Sequence, residues 1–287
     1  MANSIALFRE YLPLLDEVYR AACLSSVLDG AEELAAEGAN AGELVIPKIS
    51  MSGLADYSRS SGYQAGDVTL TNETVTCNYD RGRMFTVDRL DDAETAGVAF
   101  GRLAGEFIRT KVAPELDAFR FARYASAPAI GSASGSLASG ANVVSALRTA
   151  HSEMDEAEVP LEGRVLFITS ALKGMVDDLD TTRSRAVMGL CEQVIVVPQT
   201  RFYTAVTLGG DGYSRRAASG DDPAGALINF LLVHRSAVIQ FQKHVSPKIV
   251  TPEMNQDADA WKFGYRTVGI ADVYENKAAG IYCHSQA

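Results

Sequence analysis

Apolar side chains near the N-terminus recur every three or four residues between positions 4 and 28, the spacing of an amphipathic helix. The row consists of Ile5, Phe8, Leu12, Leu15, Tyr19 and Ala22. Asp16 and Arg20 stand four residues apart and can pair, and Pro13 is expected to bend or break the helix because it removes a backbone donor. We therefore predict an N-terminal arm, which a Gly/Ala-rich stretch (30–42) separates from the next element.

Two segments of high β propensity follow and predict a two-stranded ribbon. Residues 44–50 form a strand that contains a proline, and residues 67–79 form the return strand. Neither face of the return strand is apolar enough to cover a core. Since an isolated ribbon is only marginally stable in water, we expect it to project from its domain and lie on another surface. Residues 80–82 (Asp-Arg-Gly) predict a turn into a further strand over 83–88.

A long helix is predicted over residues 93–124. Its apolar positions form one row that a second row continues, and Pro114 is expected to kink the helix or start a new segment. At about 1.5 Å per residue, such a helix would span on the order of 45 Å. The two rows are Ala96, Phe100, Leu103 and Phe107, then Ile108, Val112, Leu116 and Phe119. An extended subunit needs a rod of this kind more often than a compact enzyme does.

The second half of the chain alternates strands and helices after a flexible Gly/Ser-rich crossing at 125–140. We predict a helix at 142–155, a strand at 164–169, a helix capped by Ser170, and a strand at 192–197. A long polar loop at 209–225 precedes strands at 226–234, 237–242, 262–274 and 279–283. This half therefore has an α/β-like pattern, and for the chain as a whole we expect an α+β fold.

Composition limits what the chain can bind. Its 287 residues carry 26 Lys and Arg against 36 Asp and Glu, a net charge of −10. Phosphate binding requires clustered cations, so the composition argues against direct DNA binding. It is compatible with a protein that encloses DNA without binding it. No apolar run reaches the roughly 18 residues of a membrane span, and charges interrupt the N-terminal apolar stretch, which excludes a signal peptide.

No motif in the sequence indicates catalysis, a metal site or a cofactor. The cysteines Cys23, Cys77, Cys191 and Cys283 match no zinc or disulfide spacing, which predicts buried or idle thiols. The acidic cluster Asp177, Asp178 and Asp180 is more typical of a solvated helix end than of a cation site. The stretches GSASG and GGDG lack the residues of a nucleophile elbow, a dinucleotide loop or a P-loop. We therefore predict no catalytic residue, no cofactor and no metal.

The elements follow in the order arm, projecting ribbon, long helix, α/β insertion and strand-rich return. Four segments within this order are distinctive: NYDRGRMFTVDRLDD (78–92), FGRLAGEFIRTKVAPELDAFRFARYAS (100–126), VPLEGRVLFITSALKGMV (159–176) and ALINFLLVHRSAVIQFQK (226–243). In combination, the order and the segments resemble the major capsid proteins of tailed bacteriophages with the Hong Kong 97-type fold. The resemblance spans about 44–283 and is specific as a combination.

The resemblance implies a division into four parts. These are an N-terminal arm (1–43), an extended loop (44–90), a peripheral domain with the long spine helix (91–135 and 225–287), and an axial α/β domain (136–224). In this family the extended loop lies across a neighbouring subunit, and copies form pentamers and hexamers of an icosahedral shell. Head-to-tail contacts close into rings when the rotation allows it.

The resemblance also implies the surroundings of the protein. We expect a major capsid protein in the virion, assembled in the host bacterial cytoplasm, that encloses double-stranded DNA without sequence-specific binding and contacts no membrane. Its other partners would be a portal and a separate scaffolding or decoration protein. Because the arm begins within a few residues of Met1, we expect no removal of a large N-terminal segment.

Charged residues crowd the base of the extended loop, and we name six of them as candidate inter-subunit contacts. Exposed ion pairs contribute only about 0–1 kcal/mol, but opposite charges across an interface can fix its register. The candidates are Arg81, Arg83, Asp88, Arg89, Asp91 and Asp92.

Two other functions stay open from the sequence. The first is an encapsulin-like nanocompartment shell, which encloses enzymes instead of DNA. The second is a cytosolic α/β enzyme whose catalytic groups converge from distant positions. The enzyme would form a small oligomer with a pocket, whereas a shell protein would form megadalton particles.

Overall fold

A computed structural model describes residues 22–30, 43–60, 62–90, 98–220 and 222–286. Most of the predicted arm helix lies outside these residues; within them, Leu24–Leu28 forms a 3-10 helix. The α-helices are α1 (Val98–Phe107), α2 (Ala113–Ala125), α3 (Gly140–Glu156), α4 (Ser170–Leu179) and α5 (Thr182–Met188). The first seven strands are β1 (Glu43–Met51), β2 (Val68–Thr76), β3 (Tyr79–Asp88), β4 (Gly131–Ser134), β5 (Arg164–Thr169), β6 (Gln193–Val197) and β7 (Val206–Gly209). The other five are β8 (Gly212–Arg215), β9 (Ile228–His234), β10 (Val238–Val250), β11 (Ala260–Val273) and β12 (Ile281–Ser285).

The predicted ribbon is present: β1 and β2 pair antiparallel and form a sheet of two strands. The predicted turn at 80–82 is wrong, because these residues lie within β3 and pair with β11, Arg81 opposite Thr267. Gly82 does not form a turn; it allows β3 and β11 to approach each other closely. A Cβ added there would lie 3.0 Å from the carbonyl oxygen of Tyr265.

The spine helix consists of α1, a π-helical segment over Ile108–Val112, and α2. The predicted residues 93–97 lie outside the described part of the chain. Pro114 stands in the first turn of α2, directly after the π-helical segment. The prediction that Pro114 starts a second segment is thus confirmed.

One side of the spine helix packs against the three-stranded sheet of order β10-β11-β3. The buried cluster joins Ile108, Val112 and Leu116 of the spine to Phe263 and Tyr265 of β11. Burial of these side chains holds the helix along the sheet, since each contributes roughly 1.5–3 kcal/mol. The base of the ribbon, at the start of β3, is fixed by the same core.

A mixed five-stranded sheet of order β4-β12-β9-β5-β6 lies at the centre of the second half. Alternate side chains of β5 enter two different cores: Val165 and Phe167 pack with Phe121 of α2, whereas Leu166 and Ile168 pack with Leu147 of α3. Both faces are therefore covered, which explains why β5 has a continuous apolar sequence.

Three further predictions for this half need correction. The flexible crossing at 125–140 contains β4, which pairs with β12. The polar loop at 209–225 contains β8, which forms a hairpin with β7. The cap of α4 is Thr169, and Ser170 is the first helical residue. The predicted domain boundaries stay a prediction, and the five-stranded sheet contains strands from both sides of them.

Candidate assembly surfaces

The ribbon presents four apolar side chains on one face. Its register places Ile49 opposite Leu70 and Met51 opposite Val68. Directly opposed residues of an antiparallel pair share a face, and so do residues two apart in a strand. The four side chains are 63%, 64%, 69% and 72% exposed, in the order Ile49, Leu70, Met51, Val68. We call this set the ribbon stripe; such a row of exposed apolar groups is typical of an interaction surface.

The tip of the ribbon is described over residues 52–60 and 62–67 and has internal contacts of its own. Its two ends are joined by a bond in which Ser52 N donates to the Asp67 carbonyl oxygen at 3.0 Å. The rings of Tyr57 and Tyr63 meet edge to face at 5.0 Å, although Tyr63 is 91% exposed. The tip therefore has a defined conformation and contains two aromatic side chains.

The root of the ribbon is fixed to the body. Val75 is buried with Ile239 and Ile270. The Asn78 side chain donates to the Ala271 carbonyl oxygen at 2.8 Å and accepts from the Ala271 N–H at 3.1 Å. The described structure therefore combines a fixed root with an exposed distal end.

Arg81, the first predicted contact residue, joins three parts of its own chain. Its Nε lies 2.7 Å from Oε1 of Glu115 on α2, and its Nη2 donates to the Gly209 carbonyl oxygen at 2.7 Å. The Tyr79 hydroxyl donates to the same carboxylate at 3.1 Å. Burial, followed by the charge of Glu115, raises the pKa of Tyr79, so this hydroxyl stays protonated.

Arg83 holds the same β7–β8 hairpin from the next outward position. Its Nη1 donates to the Gly210 carbonyl oxygen at 2.7 Å and lies 3.4 Å from Oδ1 of Asp211. Both partners of this ion pair are exposed, so the carbonyl bond is the better defined contact. The two arginines thus fix the hairpin to the base of the ribbon.

The other four candidates are not brought together in the described structure. Asp88 accepts from the Leu90 backbone N–H at 2.8 Å, and Arg89 lies 3.6 Å from Asp259 across an exposed pair. Asp91 and Asp92 lie outside the described residues. That any of the six contacts a neighbouring subunit stays a prediction.

A buried polar network, which the sequence did not indicate, anchors the 3-10 helix near the N-terminus to the spine. Asp117 has no exposed surface, and its carboxylate accepts from the backbone N–H groups of Leu24 at 3.0 Å and Ser25 at 2.9 Å. Nη1 of Arg201 lies 3.1 Å from Oδ2 of Asp117 and compensates the charge of the carboxylate. Arg120, also buried, donates to the Ser25 hydroxyl at 3.0 Å. A buried charge with this many partners is tolerated where an unpaired one is not.

A second buried cluster lies between α3 and the five-stranded sheet. Arg164 donates to Nδ1 of His151 at 3.2 Å and to Asp155 at 2.7 Å. Burial, then the nearby Arg164 cation, lowers the pKa of His151 to about 4. Nε2 of the ring lies 3.5 Å from the Cys191 sulfur, and burial raises the pKa of that thiol to about 11. Burial thus favours a neutral imidazole and an un-ionised thiol, as expected for groups packed inside a protein.

Two residues of the acidic cluster form ion pairs. Asp177 pairs with Lys173 of α4, and Asp180 pairs with Arg185 of α5. Burial raises the pKa of the Cys283 thiol to about 12. In the part of the chain that the structure describes, no group of three His, Cys, Asp or Glu residues is placed to hold a metal ion. No helix among those residues has the length and apolar character to cross a membrane.

Comparison with known proteins gives a match of structure and not of sequence. Neither a family model nor a curated protein matches the chain. A chain from Mycobacterium phage Che8 superposes with a TM-score of 0.58 and 16% identity, over 90% of this chain and 89% of that chain. The capsid of Myoviridae phage XM1 gives 0.57 and 10%, over 92% and 91%. The chain has the fold of phage capsid proteins. The predicted resemblance is confirmed at the level of the fold.

The capsid-protein fold also occurs outside structures named for phages. A virus-like particle from Pyrococcus furiosus matches with a TM-score of 0.55 and 12% identity, over 93% of this chain and 98% of that chain. These matches span most of each chain. Fold alone does not fix function.

Proposed function

We propose that this chain is the major capsid protein of a tailed phage, a subunit that assembles with copies of itself into an icosahedral shell around double-stranded DNA. The observation that carries the proposal is the ribbon stripe on a chain with the capsid-protein fold. Ile49, Met51, Val68 and Leu70 are exposed although the ribbon is fixed at its root. A second copy of the chain is the surface that would cover them.

The role proposed is structural and not enzymatic. Asp117 and Arg164 lie in buried polar clusters and are hydrogen-bonded to groups of their own chain. These charged groups therefore support the fold in the proposed role and do not bind a substrate. Pentamers and hexamers, a portal, and a scaffolding or decoration protein belong to the same proposal, as does a location in the virion. Some of the six predicted charged residues would bridge neighbouring subunits and fix their register.

An encapsulin-like shell is the second candidate, and the match to a virus-like particle favours it. The two functions share the subunit fold and self-assembly, and they differ in what the shell contains. Particles isolated from the organism that makes them would hold nuclease-protected double-stranded DNA in the phage case and a cargo protein in the nanocompartment case. We propose the first because the sequence segments at 78–92 and 100–126 resemble phage coat proteins.

Electron microscopy and size-exclusion chromatography of the purified chain test self-assembly. We expect megadalton closed particles from the unchanged protein. The double substitution Val68→Thr/Leu70→Thr keeps β propensity but removes apolar surface from the stripe, so we expect it to prevent particle formation. Free subunits should keep their stability within about 0.5 kcal/mol, since the sites are exposed.

The matched control replaces apolar groups of similar exposure elsewhere. Met254 is 72% exposed, as Val68 is, and Leu161 is 52% exposed. Met254→Thr/Leu161→Thr is expected to assemble normally. Normal particles from the stripe variant would refute the proposed role of the ribbon, and a small defined oligomer from the unchanged protein would refute shell formation.

A further inference from the structure

The ribbon leaves the three-stranded sheet at Cys77 and Asn78, the two residues between β2 and β3. Strand β3 pairs with β11 as far as Tyr79, which lies opposite Gly269. Continued in the same register, the pairing would place Cys77 opposite Ala271. Instead, β2 pairs with β1 in a separate sheet, so the pairing of β3 with β11 stops at one defined residue.

The side chain of Asn78 takes the place of the missing strand backbone. Ala271 is buried, so its peptide groups need hydrogen-bond partners. Nδ2 of Asn78 donates to the Ala271 carbonyl oxygen at 2.8 Å, and Oδ1 accepts from the Ala271 N–H at 3.1 Å. A primary amide carries the same kinds of donor and acceptor as a peptide group. The two bonds therefore complete the sheet edge at Ala271 and release the backbone of Cys77 from pairing.

The contact between the ribbon and the body is otherwise apolar. Among the residues of 49–76 whose side chains the structure describes, Val75 is the one that is buried, in a cluster with Ile239 and Ile270. Apolar packing holds a side chain in place but is non-directional, whereas a hydrogen bond weakens as its angle departs from linear. The Asn78 amide is therefore the group at the root that is suited to fix a direction.

The length of the ribbon makes the position of its far end sensitive to its root. The nine residues of β2 span about 30 Å at about 3.3 Å per residue, so a rotation of about 10° at the root would move the far end by about 5 Å. Neighbouring strands of a sheet are about 4.8 Å apart. A small change of direction would therefore displace the far end of the ribbon by a whole strand.

We propose that Asn78 is a positioning residue, whose amide sets the direction in which the ribbon leaves the body before any neighbouring subunit is present. A second copy then meets a ribbon that is already held in place, which reduces the conformational freedom lost on docking. This use in assembly rests on the proposed function. The direction itself is a property of the free subunit.

Distances measured by electron paramagnetic resonance within free subunits test the proposal. Spin-labelled noncanonical amino acids replace Asp56 in the tip and Arg109 in the spine, both exposed, so the native cysteines stay in place. The Val68→Thr/Leu70→Thr background keeps the subunits unassembled. Asn78→Leu keeps nearly the same side-chain size and removes both hydrogen bonds to Ala271, so we expect the distance distribution to become at least twice as wide.

Asn255, in the loop between β10 and β11, supplies the matched control. It is half-buried, as Asn78 is, donates to the Ala260 carbonyl oxygen at 2.9 Å and accepts from the Asp257 N–H at 3.2 Å. Its loop lies at the opposite end of β11 from Ala271. Asn255→Leu loses bonds of the same kind and is expected to leave the distance distribution unchanged.

A second variant, Asn78→Asp, keeps the acceptor for the Ala271 N–H and loses the donor to the carbonyl oxygen. It is expected to widen the distribution as well, and it decides the test if Asn78→Leu does not fold. An unchanged width in the folded Asn78 variants would overturn the proposal, as would equal widening in Asn255→Leu.

Electron microscopy without the stripe substitutions tests the use in assembly separately. We expect Asn78→Leu to reduce the yield of closed particles at least tenfold and Asn255→Leu to give the normal yield. A normal yield from Asn78→Leu would overturn the role of a preset ribbon in assembly. If the unchanged protein forms no particles, the proposed function fails, and the distances within free subunits still decide whether Asn78 sets the direction.

Discussion

Single buried side chains connect segments that are far apart in the sequence. Asp117 joins the N-terminal 3-10 helix to α2 and to Arg201, and Gln240 donates to the Ser25 carbonyl oxygen at 2.7 Å from β10. Sequence patterns predicted none of these contacts, because an Asp inside a helix gives no sign of its partner. The role of such residues becomes visible only in the folded structure, where the 3-10 helix, α2, Arg201 and β10 lie close together.

His151 makes the stability of the free subunit depend on pH. The ring accepts from Arg164 in its neutral form, and its pKa falls from 6.5 to about 4 in the folded protein. Between these values the unfolded chain binds a proton that the folded chain does not. Folding is therefore destabilised as the pH falls from 6.5 toward 4.

Urea unfolding of non-assembled subunits at pH 7 and pH 4.5 measures this effect. His151→Gln keeps an acceptor for Arg164 and does not titrate, so we expect the variant to lose less stability on acidification than the unchanged protein does. Other carboxylates titrate in both proteins, and the difference between them isolates His151. An identical loss in both would contradict the assignment.

Among the elements, the spine helix shows what a sequence pattern can and cannot reveal. Its buried positions Ala104, Ile108, Val112 and Leu116 are each four residues apart. In a regular α-helix this spacing drifts by about 40° at every step, because 3.6 residues make a turn. The π-helical segment at Ile108–Val112 takes up the excess and keeps one face buried. The two apolar rows were predicted from the sequence, but the π-helical segment was not.

Other elements depend on pairing that no local pattern encodes. Strand β4 has the sequence Gly-Ser-Ala-Ser, which shows no alternation of apolar and polar residues. It forms a strand because its backbone pairs with β12. The ribbon stripe was missed for a related reason: β2 alone has few apolar residues, and Ile49 and Met51 complete the face only once the register is known. By contrast, β5 was predicted correctly because its core faces make it apolar throughout.

The close approach of α3 and α4 gives a prediction for two helical glycines. A Cβ at Gly140 would overlap the carbonyl oxygen of Met175, whereas a Cβ at Gly174 would meet no atom within 4 Å. Gly140→Ala is expected to destabilise the subunit by about 1–3 kcal/mol through overpacking. Gly174→Ala should stabilise it by up to about 1 kcal/mol, because Ala favours the helix. Chemical denaturation of both variants checks this, and equal effects would contradict the described packing.

For the whole molecule, the proposed assembly through the ribbon would couple particle formation to stability. Covering the ribbon stripe in an oligomer stabilises only the folded chain, so mass action makes the unfolding temperature depend on protein concentration. We expect this temperature to rise with concentration across the threshold at which particles form. The variant Val68→Thr/Leu70→Thr should show a constant value over the same range. Differential scanning calorimetry at several concentrations checks this, and a constant temperature in the unchanged protein would contradict the coupling.

The hydrogen bonds from the two arginines to the β7–β8 hairpin affect which substitutions the hairpin can tolerate. Arg81 and Arg83 donate to the main-chain oxygens of Gly209 and Gly210, and every amino acid supplies that oxygen. Neither glycine has a positive φ, and a Cβ at Gly210 would meet no atom within 4 Å. Substitutions at the hairpin tip can therefore accumulate without loosening its attachment. The outward side chains of this loop can therefore change while the strands beneath them keep their attachment.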